Sequence, residues 1–312
     1  MAAVARHRRG LAAHHGGARL HLVVLAVLIV EALVAPAERA LAGGPPAEDV
    51  VPAVVAGYGA TGTLAVVVAR QQIPRAARTV LAAQLRNARA AANLADNGSV
   101  ASRPFPAASM VKLFMAEDIL HRIRTGAVPS TARDLALLQE MIRRSDDPAA
   151  SALWSRFGGG RMVSDVAARY GLTGTAPLRD PSQWGETTTT AHDLARFLVL
   201  LPTVAHPSDA ATLMSWMRSA TPLAADGFDQ RFGVLGAVPG APAVKQGWMC
   251  CLGGNRHLHS VGVVGHRVVV LLSEVPRRVG YDAARAALTA AATAVPSPAP
   301  PPPAAEIGGR PG

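Results

Sequence analysis

Residues 105–125 read FPAASMVKLFMAEDILHRIRT, a pattern that predicts the central helix of the fold. The helix is expected to begin at Ser109, shortly after Pro106, whose fixed φ suits a first turn, and to stop at Gly126. Apolar side chains cover most of the helix circumference over the first turns. A helix of this kind has no wide polar face for solvent, so we expect it to be buried among other elements.

Lysine is rare in this chain: 31 residues are basic, and only Lys112 and Lys245 are lysines. Ser109 and Lys112 lie three positions apart at the start of the predicted helix, so their side chains share a face and can meet. A serine hydroxyl becomes a good nucleophile when a base takes its proton. A lysine can be that base if burial or nearby positive charge lowers its pKa, whereas arginine keeps its proton. The pair therefore predicts a serine nucleophile activated by lysine.

Two further short motifs follow in the chain. Residues 145–147 read Ser-Asp-Asp, and residues 245–247 read Lys-Gln-Gly just before an apolar hairpin. Together with Ser-x-x-Lys at 109–112, they follow the order of the Ser-x-x-Lys, Ser-Asp-Asn and Lys-Thr-Gly motifs of penicillin-recognising serine enzymes. The chain resembles the class A β-lactamase group of that superfamily over about 63–292, including the Glu-Thr-Thr-Thr-Thr run at 186–190.

The resemblance implies a role for each catalytic position. Ser109 would be the nucleophile that opens a β-lactam and becomes acylated, and Lys112 would be its base or proton relay. Ser145 would pass a proton to the leaving nitrogen. The backbone N–H groups of Ser109 and Trp248 would form the oxyanion hole, a role that requires no particular side chain.

The resemblance also implies a substrate-binding set. Asp147 would orient the substrate and Lys112, Lys245 would attract a substrate carboxylate, and Gly247 would leave room for substrate along the strand edge. The complete implied set is Asp147, Lys245, Gln246, Gly247 and Trp248. The implied ligand is a small-molecule β-lactam or a related peptidoglycan peptide, bound by a monomeric protein without a metal or cofactor.

Three features depart from the pattern of the family. Asp147 stands where the family has asparagine, so an amide becomes a carboxylate that accepts hydrogen bonds without donating them. Gln246 stands where the family has threonine, which removes a hydroxyl. The loop at 173–185 is short and contains Asp180 but no glutamate to activate the deacylating water. An acyl-enzyme at this site is therefore expected to turn over slowly.

Three functions remain open from the sequence. The leading expectation is an exported serine hydrolase of the β-lactamase type. A D-alanyl-D-alanine peptidase-like protein would also lack the loop glutamate. A non-catalytic binding module with a degenerate site is the third. The replacements at 147 and 246 favour this last reading, and the retention of Ser109 beside both lysines counts against it.

The pattern of strands and helices predicts an α/β (α+β) fold, and the resemblance implies that it is of the β-lactamase/transpeptidase type. We expect an antiparallel sheet built from N- and C-terminal segments and flanked by helices, together with a mostly helical lobe. Thr190 and Asp193 should form a capping box at the start of one helix. Strands are predicted at 63–69, 259–264 and 267–273, and the other helices at 132–144, 148–157, 162–170, 190–202 and 283–294.

Both ends of the chain differ in composition from the middle. Residues 1–42 combine basic residues, an apolar run at 22–30 and small-residue sites, which is the order of a signal peptide or an uncleaved signal anchor. Residues 295–312 are proline-rich and predict a disordered tail, which leaves 43–294 as the hydrolase domain. We expect an exported protein of extracellular, periplasmic or envelope location, in contact with a membrane only if the N-terminal segment is retained.

Charge and cysteine content argue against several functions. The formal charge is +10, but the arginines are scattered without an aromatic-interleaved stripe, so no nucleic-acid partner is expected. Cys250 and Cys251 are adjacent and are expected to be small core residues without a mutual disulfide. His257 and His259 share one face of a strand, where a partly buried surface is expected rather than a metal site.

Five further side chains are expected to have structural roles. Trp154 and Trp184 are expected to pack, as is Trp216. Asp180 is expected to form a turn, with a role as substitute base the less favoured alternative. The resemblance implies that Glu186 anchors its loop by pairing with an arginine.

Overall fold

The computed structural model describes residues 45–71, 94–180 and 182–296. The predicted signal segment at 1–42 and most of the predicted tail lie outside the described residues.

Seven strands and nine α-helices are found in the described part of the chain. The strands are β1 (Thr63–Arg70), β2 (Leu94–Asp96), β3 (Phe105–Pro106), β4 (Thr188–Thr189), β5 (Ala243–Leu252), β6 (Asn255–Val264) and β7 (Arg267–Pro276). The helices are α1 (Ala47–Tyr58), α2 (Val111–Arg124), α3 (Ala132–Arg143), α4 (Asp147–Phe157), α5 (Gly160–Tyr170), α6 (Ala191–Val204), α7 (Pro207–Arg218), α8 (Gly233–Ala237) and α9 (Tyr281–Ala292). Short 3₁₀ turns at Gly98–Ser102, Ala108–Met110 and Trp184–Glu186 connect them.

The main sheet has the order β2-β1-β7-β6-β5, and every neighbouring pair of strands is antiparallel. Strand β1 pairs with β7 from Thr63 opposite Glu274 to Arg70 opposite Arg267. A strand from the first part of the chain therefore lies beside the last strand, which confirms the predicted sheet built from both ends. Strand β5 lies at the end of this sheet, and β3 and β4 form a separate two-stranded pair.

Both faces of the sheet are covered by helices, which explains the unbroken apolar run in β1. Successive side chains of a strand point to opposite faces. Val66 and Val68 pack in one apolar cluster with α1 and α9, whereas Ala65 and Val67 pack in a second cluster with α2 and α6. A strand that is buried on both faces has no place for alternating polar residues.

Helix α2 is the buried central helix that the sequence predicts. Every residue from Val111 to Leu120 is buried, including the acidic pair Glu117 and Asp118. Arg169 of α5 donates to both carboxylates, at 2.6 Å and 3.0 Å, and the Tyr170 hydroxyl donates to Glu117 at 3.0 Å. These contacts satisfy charges that would otherwise be costly in the interior, and they attach α5 to α2.

The structure corrects some boundaries and adds elements. The helix expected from 109 begins as the turn Ala108–Met110 and continues as α2, because the backbone reaches this turn from the β3 pair rather than from a free loop. Helices α1, α7 and α8 were not predicted. The capping box at the start of α6 is only half formed: the Thr190 hydroxyl accepts from the Asp193 N–H at 3.0 Å, but the Asp193 carboxylate binds Thr175 at 2.7 Å instead.

The aromatic contact between α2 and α6 provides a test of this core. Phe114 is fully buried and meets Phe197 edge to face at 5.2 Å between ring centroids. Phe114→Ala should lower the free energy of unfolding by about 3–5 kcal/mol, because it removes a large buried side chain and leaves a cavity. Leu135→Ala is the control, since that leucine is 42% exposed and its loss should change stability by less than about 0.5 kcal/mol. Equal losses in urea unfolding would contradict the packing described here.

Candidate active site

The turn that carries Ser109 is held from two sides. Strand β3 pairs with β4, and the Ala107 N–H donates to the Thr187 carbonyl at 2.7 Å. Ala108 has φ 47°, in the left-handed region that non-glycine residues rarely adopt. Strained backbone of this kind persists where surrounding contacts fix it, and it is frequent at functional sites. The turn thus delivers Ser109 to the start of α2, three residues before Lys112.

Ser145 lies between the two lysines of the chain. Lys112 Nζ donates to the Ser145 carbonyl at 2.7 Å and to the Ser145 hydroxyl at 3.2 Å. Lys245 Nζ reaches the same hydroxyl at 2.7 Å and donates to the Gln246 carbonyl at 2.8 Å. Two residues 100 positions apart, Ser145 and Lys245, are therefore joined at one oxygen. Hydrogen bonds thus join Lys112, Ser145 and Lys245, one residue from each of the three motifs. Within the described residues, no hydrogen bond joins the Ser109 hydroxyl to Lys112.

The segment 145–147 is shaped by the start of α4. The Asp146 carboxylate accepts from the Ala149 N–H at 2.8 Å and caps the helix. Asp147 is the first residue of α4, and its Oδ1 lies 2.5 Å from Lys112 Nζ. Ser145 has φ 53°, a conformation that turns both its carbonyl and its hydroxyl toward Lys112. The aspartate that replaces the family's asparagine therefore forms an ion pair with the expected base.

Burial lowers the pKa of both amines, whereas the main neighbouring charge differs between them. Burial lowers the pKa of Lys112, and the carboxylate of Asp147 beside it opposes that change. Burial and the positive charge of Lys112 hold the pKa of Lys245 well below its usual range. Two amines joined through one hydroxyl in a buried site favour a state in which at least one is neutral. A neutral lysine can accept a proton, which is the property required of a base.

Strand β5 brings Lys245 and Gly247 to the face that meets the Ser109 turn. A Cβ built on Gly247 would lie 2.9 Å from Met110 Cε and 3.2 Å from the Ser109 nitrogen, so a larger residue would require Met110 and the Ser109 turn to shift. The intervening Gln246 points the other way, as strand alternation requires. Its amide donates to the carbonyls of Gln230, at 3.0 Å, and Phe232.

Gln246 and Trp248, both in the implied substrate-binding set, use their side chains for packing. Gln246 holds the segment before α8 rather than facing the two amines. The indole of Trp248 stacks on Phe228 with 4.4 Å between ring centroids. Any contact of Trp248 with a substrate would therefore come from its backbone, which is the part that the oxyanion role requires.

Trp184 is a member of the site that the sequence analysis assigned only to packing. Lys112 Nζ lies 5.0 Å from the centroid of the Trp184 ring, within range of a cation–π contact. The indole Nε1 donates to Ser151 of α4 at 3.2 Å, which fixes the ring. The short loop thus places an indole beside the expected base. Its signal in the sequence was a tryptophan two positions before the Glu-Thr run, in a loop that the resemblance makes part of the site.

Within the described residues, no hydrogen bond or ion pair gives Asp180 or the nearby Glu186 a place beside the two lysines. Asp180 Oδ1 accepts from the N–H and the hydroxyl of Ser182, at 2.9 Å and 2.8 Å, and is the turn-forming residue that the sequence predicts. Glu186 makes no ion pair within the described residues, so its expected arginine partner is not found there.

The histidines of β6 are more deeply buried than expected. Within the described residues, no group of three or more potential ligands could hold a metal ion. His259 has no solvent exposure, and burial lowers its pKa to about 3. Its Nε2 lies 2.8 Å from the Pro106 carbonyl, and its Nδ1 accepts from the Ser273 N–H at 3.3 Å. A neutral His259 therefore supports the backbone just before the Ser109 turn. His257 is 2% exposed, and among the described residues neither of its ring nitrogens has a hydrogen-bond partner.

Cys250 and Cys251 are not core residues. The structure joins them by a disulfide bond at the end of β5, which corrects the expectation of two unpaired thiols. Cys250 is exposed and Cys251 half-buried, because the strand leaves the core here and turns at Gly253-Gly254.

Several solved structures share this architecture. A β-lactamase from Chitinophaga pinensis superposes with a TM-score of 0.59 at 13% identity, over 77% of this chain and 96% of that one. A β-lactamase from Xanthomonas campestris superposes with a TM-score of 0.57 at 20% identity, over 80% of this chain and 97% of that one. An ancestral class A β-lactamase superposes with a TM-score of 0.56 at 17% identity, over 79% of this chain and 98% of that one. The fold is that of β-lactamase-like serine enzymes.

The chain belongs to the β-lactamase enzyme family, because the model of that family matches residues 127–295, which is more than half of the chain. This match includes Ser145 and Lys245, whereas Ser109 and Lys112 precede it. Curated relatives from Mycobacterium tuberculosis and Mycobacterium bovis, each named "Putative lipoprotein LppW", are 38% identical over 208 residues. The match spans 65% of this chain and 65% of each relative, so less than two thirds of their length is covered.

The approach of Gly247 to the nucleophile can be tested by adding one methyl group. Gly247→Ala should reduce the acylation of Ser109 by roughly tenfold or more, because the new Cβ would push on the Ser109 turn and displace the hydroxyl. Gly280→Ala is the control, since a Cβ there meets nothing within 4 Å. The measurement is the rate of covalent labelling by a fluorescent penicillin. Equal labelling of the two variants would contradict the placement of Gly247 against Ser109.

Proposed function

We propose that this protein is a serine enzyme that forms an acyl-enzyme on Ser109 with a β-lactam or a related cell-wall peptide. The observation that carries the proposal is the continuous set of hydrogen bonds from Lys112 through Ser145 to Lys245, next to the turn that bears Ser109. A nucleophile, a buried amine and a hydroxyl relay in one place are the groups that acyl transfer requires.

The chemical steps follow from these positions. A neutral Lys112 takes the proton of the Ser109 hydroxyl as its oxygen attacks the carbonyl carbon of the substrate. The backbone N–H groups of Ser109 and Trp248 stabilise the oxyanion. When the C–N bond breaks, Ser145 donates a proton to the leaving nitrogen and recovers one from an adjacent lysine. The net result is one new ester bond at Ser109, one broken amide and one proton moved from oxygen to nitrogen.

Deacylation is the slow step in this proposal. The loop that would supply a water-activating carboxylate contributes the Trp184 indole next to Lys112 instead. An indole in that position cannot take a proton from water, as the glutamate implied by the resemblance would. The acyl-enzyme should therefore persist, and the protein should behave as a penicillin-binding enzyme with little turnover.

A second candidate, a non-catalytic binding module, is favoured by one observation. The amine of Lys112 has three acceptors, namely the carbonyl and hydroxyl of Ser145 and the carboxylate of Asp147. An ammonium has three N–H groups, so this arrangement satisfies the protonated form. If the amine stays protonated, Ser109 lacks its base and the pocket only binds its ligand.

We also propose that the protein is exported to the cell envelope. The basic and apolar pattern of residues 1–42 supports this location, as do the relatives named as lipoproteins. No helix among the described residues is long and apolar enough to cross a membrane.

The central test is covalent labelling with a fluorescent penicillin. The wild-type protein should carry one label per chain, and Ser109→Ala and Lys112→Ala should carry none, because the first lacks the nucleophile and the second lacks its base. Ser164→Ala, which changes an exposed serine of α5, is the matched control and should label like the wild type. Intact mass spectrometry gives the count and the position of the label.

Each result has a definite reading. Label on Ser109 that persists for hours supports slow deacylation, and rapid hydrolysis of a chromogenic cephalosporin would overturn the proposed role of Trp184. No label at high penicillin concentration would overturn the enzyme proposal in favour of the binding module. Unchanged labelling of Lys112→Ala would remove that lysine from the mechanism.

The ion pair of Lys112 and Asp147 predicts the pH dependence of acylation. The base acts in its neutral form, so the acylation rate should rise with pH through the pKa of Lys112, which burial lowers from the usual lysine range. The Asp147 carboxylate raises that pKa, so Asp147→Asn should move the rise to lower pH. At neutral pH the variant should then acylate faster, by roughly tenfold. A profile that stays in place, or moves to higher pH, would show that Asp147 does not control the base.

A further inference from the structure

We propose that Asp147 makes this site select acyl donors that carry a protonated amine on the side chain beside the reacting ring, at the α-carbon of the acylamino group. The inference rests on the proposed acylation of Ser109 and specifies its substrate class. It concerns the charge that the open side of the site presents to a substrate.

Asp147 is both part of the site and accessible. Its Oδ1 contacts the amine of Lys112 at 2.5 Å, yet its side chain is 63% exposed. The same carboxylate therefore touches the buried machinery at one oxygen and faces solvent at the mouth of the site. A carboxylate only accepts hydrogen bonds, so it attracts an N–H group of a ligand and repels a carbonyl or a carboxylate.

The positive charges of the site are hidden from an incoming ligand. Lys112 and Lys245 are 0% and 1% exposed, and each amine already has protein acceptors. Gln246, where the family's threonine would offer a hydroxyl, has its amide bound to backbone carbonyls. The usual means of holding an anionic substrate are thus enclosed or absent among these three residues, while the carboxylate of Asp147 is open.

Nearby charge reinforces that of Asp147. Asp146 and the exposed Asp226 both act on Lys112 with the same sign as Asp147. An ammonium group that docks within a few ångströms of these carboxylates gains attraction, and a carboxylate at the same place meets repulsion. For a partly solvated site, we expect each effect to change the acylation rate by about three- to tenfold.

Three penicillins that differ only at one side-chain position provide the test. Benzylpenicillin has no charge at the α-carbon of its side chain, ampicillin has an amine there, and carbenicillin has a carboxylate. Their second-order acylation constants are measured by competition with a fluorescent penicillin, at a pH below the pKa of the ampicillin amine. The expected order is ampicillin, benzylpenicillin, carbenicillin, with roughly a tenfold or greater span that shrinks as salt is added.

Two variants assign the preference to one carboxylate. In Asp147→Asn the ratio of ampicillin to carbenicillin should fall at least severalfold toward one, whatever happens to the absolute rates. Asp282→Asn removes the same charge from α9, on the opposite side of the sheet, where Asp282 is 91% exposed. That control should keep the wild-type ratio.

The outcomes separate this inference from the function on which it rests. If none of the penicillins acylates Ser109, the proposed function fails and the selectivity fails with it. If all three acylate Ser109 at equal rates, or carbenicillin reacts fastest, acylation stands and the inference is overturned. A wild-type preference for ampicillin that persists unchanged in Asp147→Asn would also overturn the assignment to this residue.

Discussion

The buried amine of Lys112 is the constraint on which the rest of the site depends. An amine taken out of water is costly unless acceptors surround it. The Ser145 carbonyl and the Asp147 carboxylate supply them, at 2.7 Å and 2.5 Å. To do so the backbone at Ser145 adopts a left-handed conformation that costs of order 1–3 kcal/mol. The same contacts attach the start of α4 to α2, so the lysine organises the helical lobe next to the Ser109 turn.

The Ser109 turn is supported from the sheet by groups that have no part in the proposed chemistry. His259 lies within hydrogen-bond distance of the Pro106 carbonyl, and Gly247 allows β5 to approach the Ser109 nitrogen. Because burial holds the pKa of His259 near 3, this histidine stays neutral across the physiological range and its contact does not titrate. A fixed backbone here keeps the Ser109 hydroxyl at the start of α2, where the helix N-terminus favours developing negative charge.

The sequence predicted most of the architecture and the composition of the site, because these depend on local patterns. The apolar run in β1, the all-round apolar start of α2 and the rarity of lysine each carry their own signal. Contacts between segments that are distant in the sequence leave no such local signal. Three contacts of this kind depend on how the loops pack against one another. They are the position of the Trp184 indole over Lys112, the hydrogen bond from Thr175 to Asp193, and the hydrogen bonds from Gln246 to backbone carbonyls. The alternation of side chains along a strand predicts that Gln246 and Lys245 point to opposite faces. The resemblance to the family motif nevertheless placed both residues in one substrate-binding set.

In the proposed function, Asp147 acts on two properties of the site: the protonation state of Lys112 and the class of substrate. A carboxylate against the lysine favours the protonated amine and so slows the attack on any substrate. The same negative charge favours a substrate that brings an ammonium group, and an ammonium docked on Asp147 would draw its charge away from Lys112. Occupation by such a ligand would then lower the pKa of the lysine and release the base at the moment when the acyl donor is in place. Substrate binding and activation of Lys112 would then be coupled through one carboxylate. This coupling gives a physical reason for an aspartate at position 147, since an asparagine there would leave Lys112 a faster base but the site less selective.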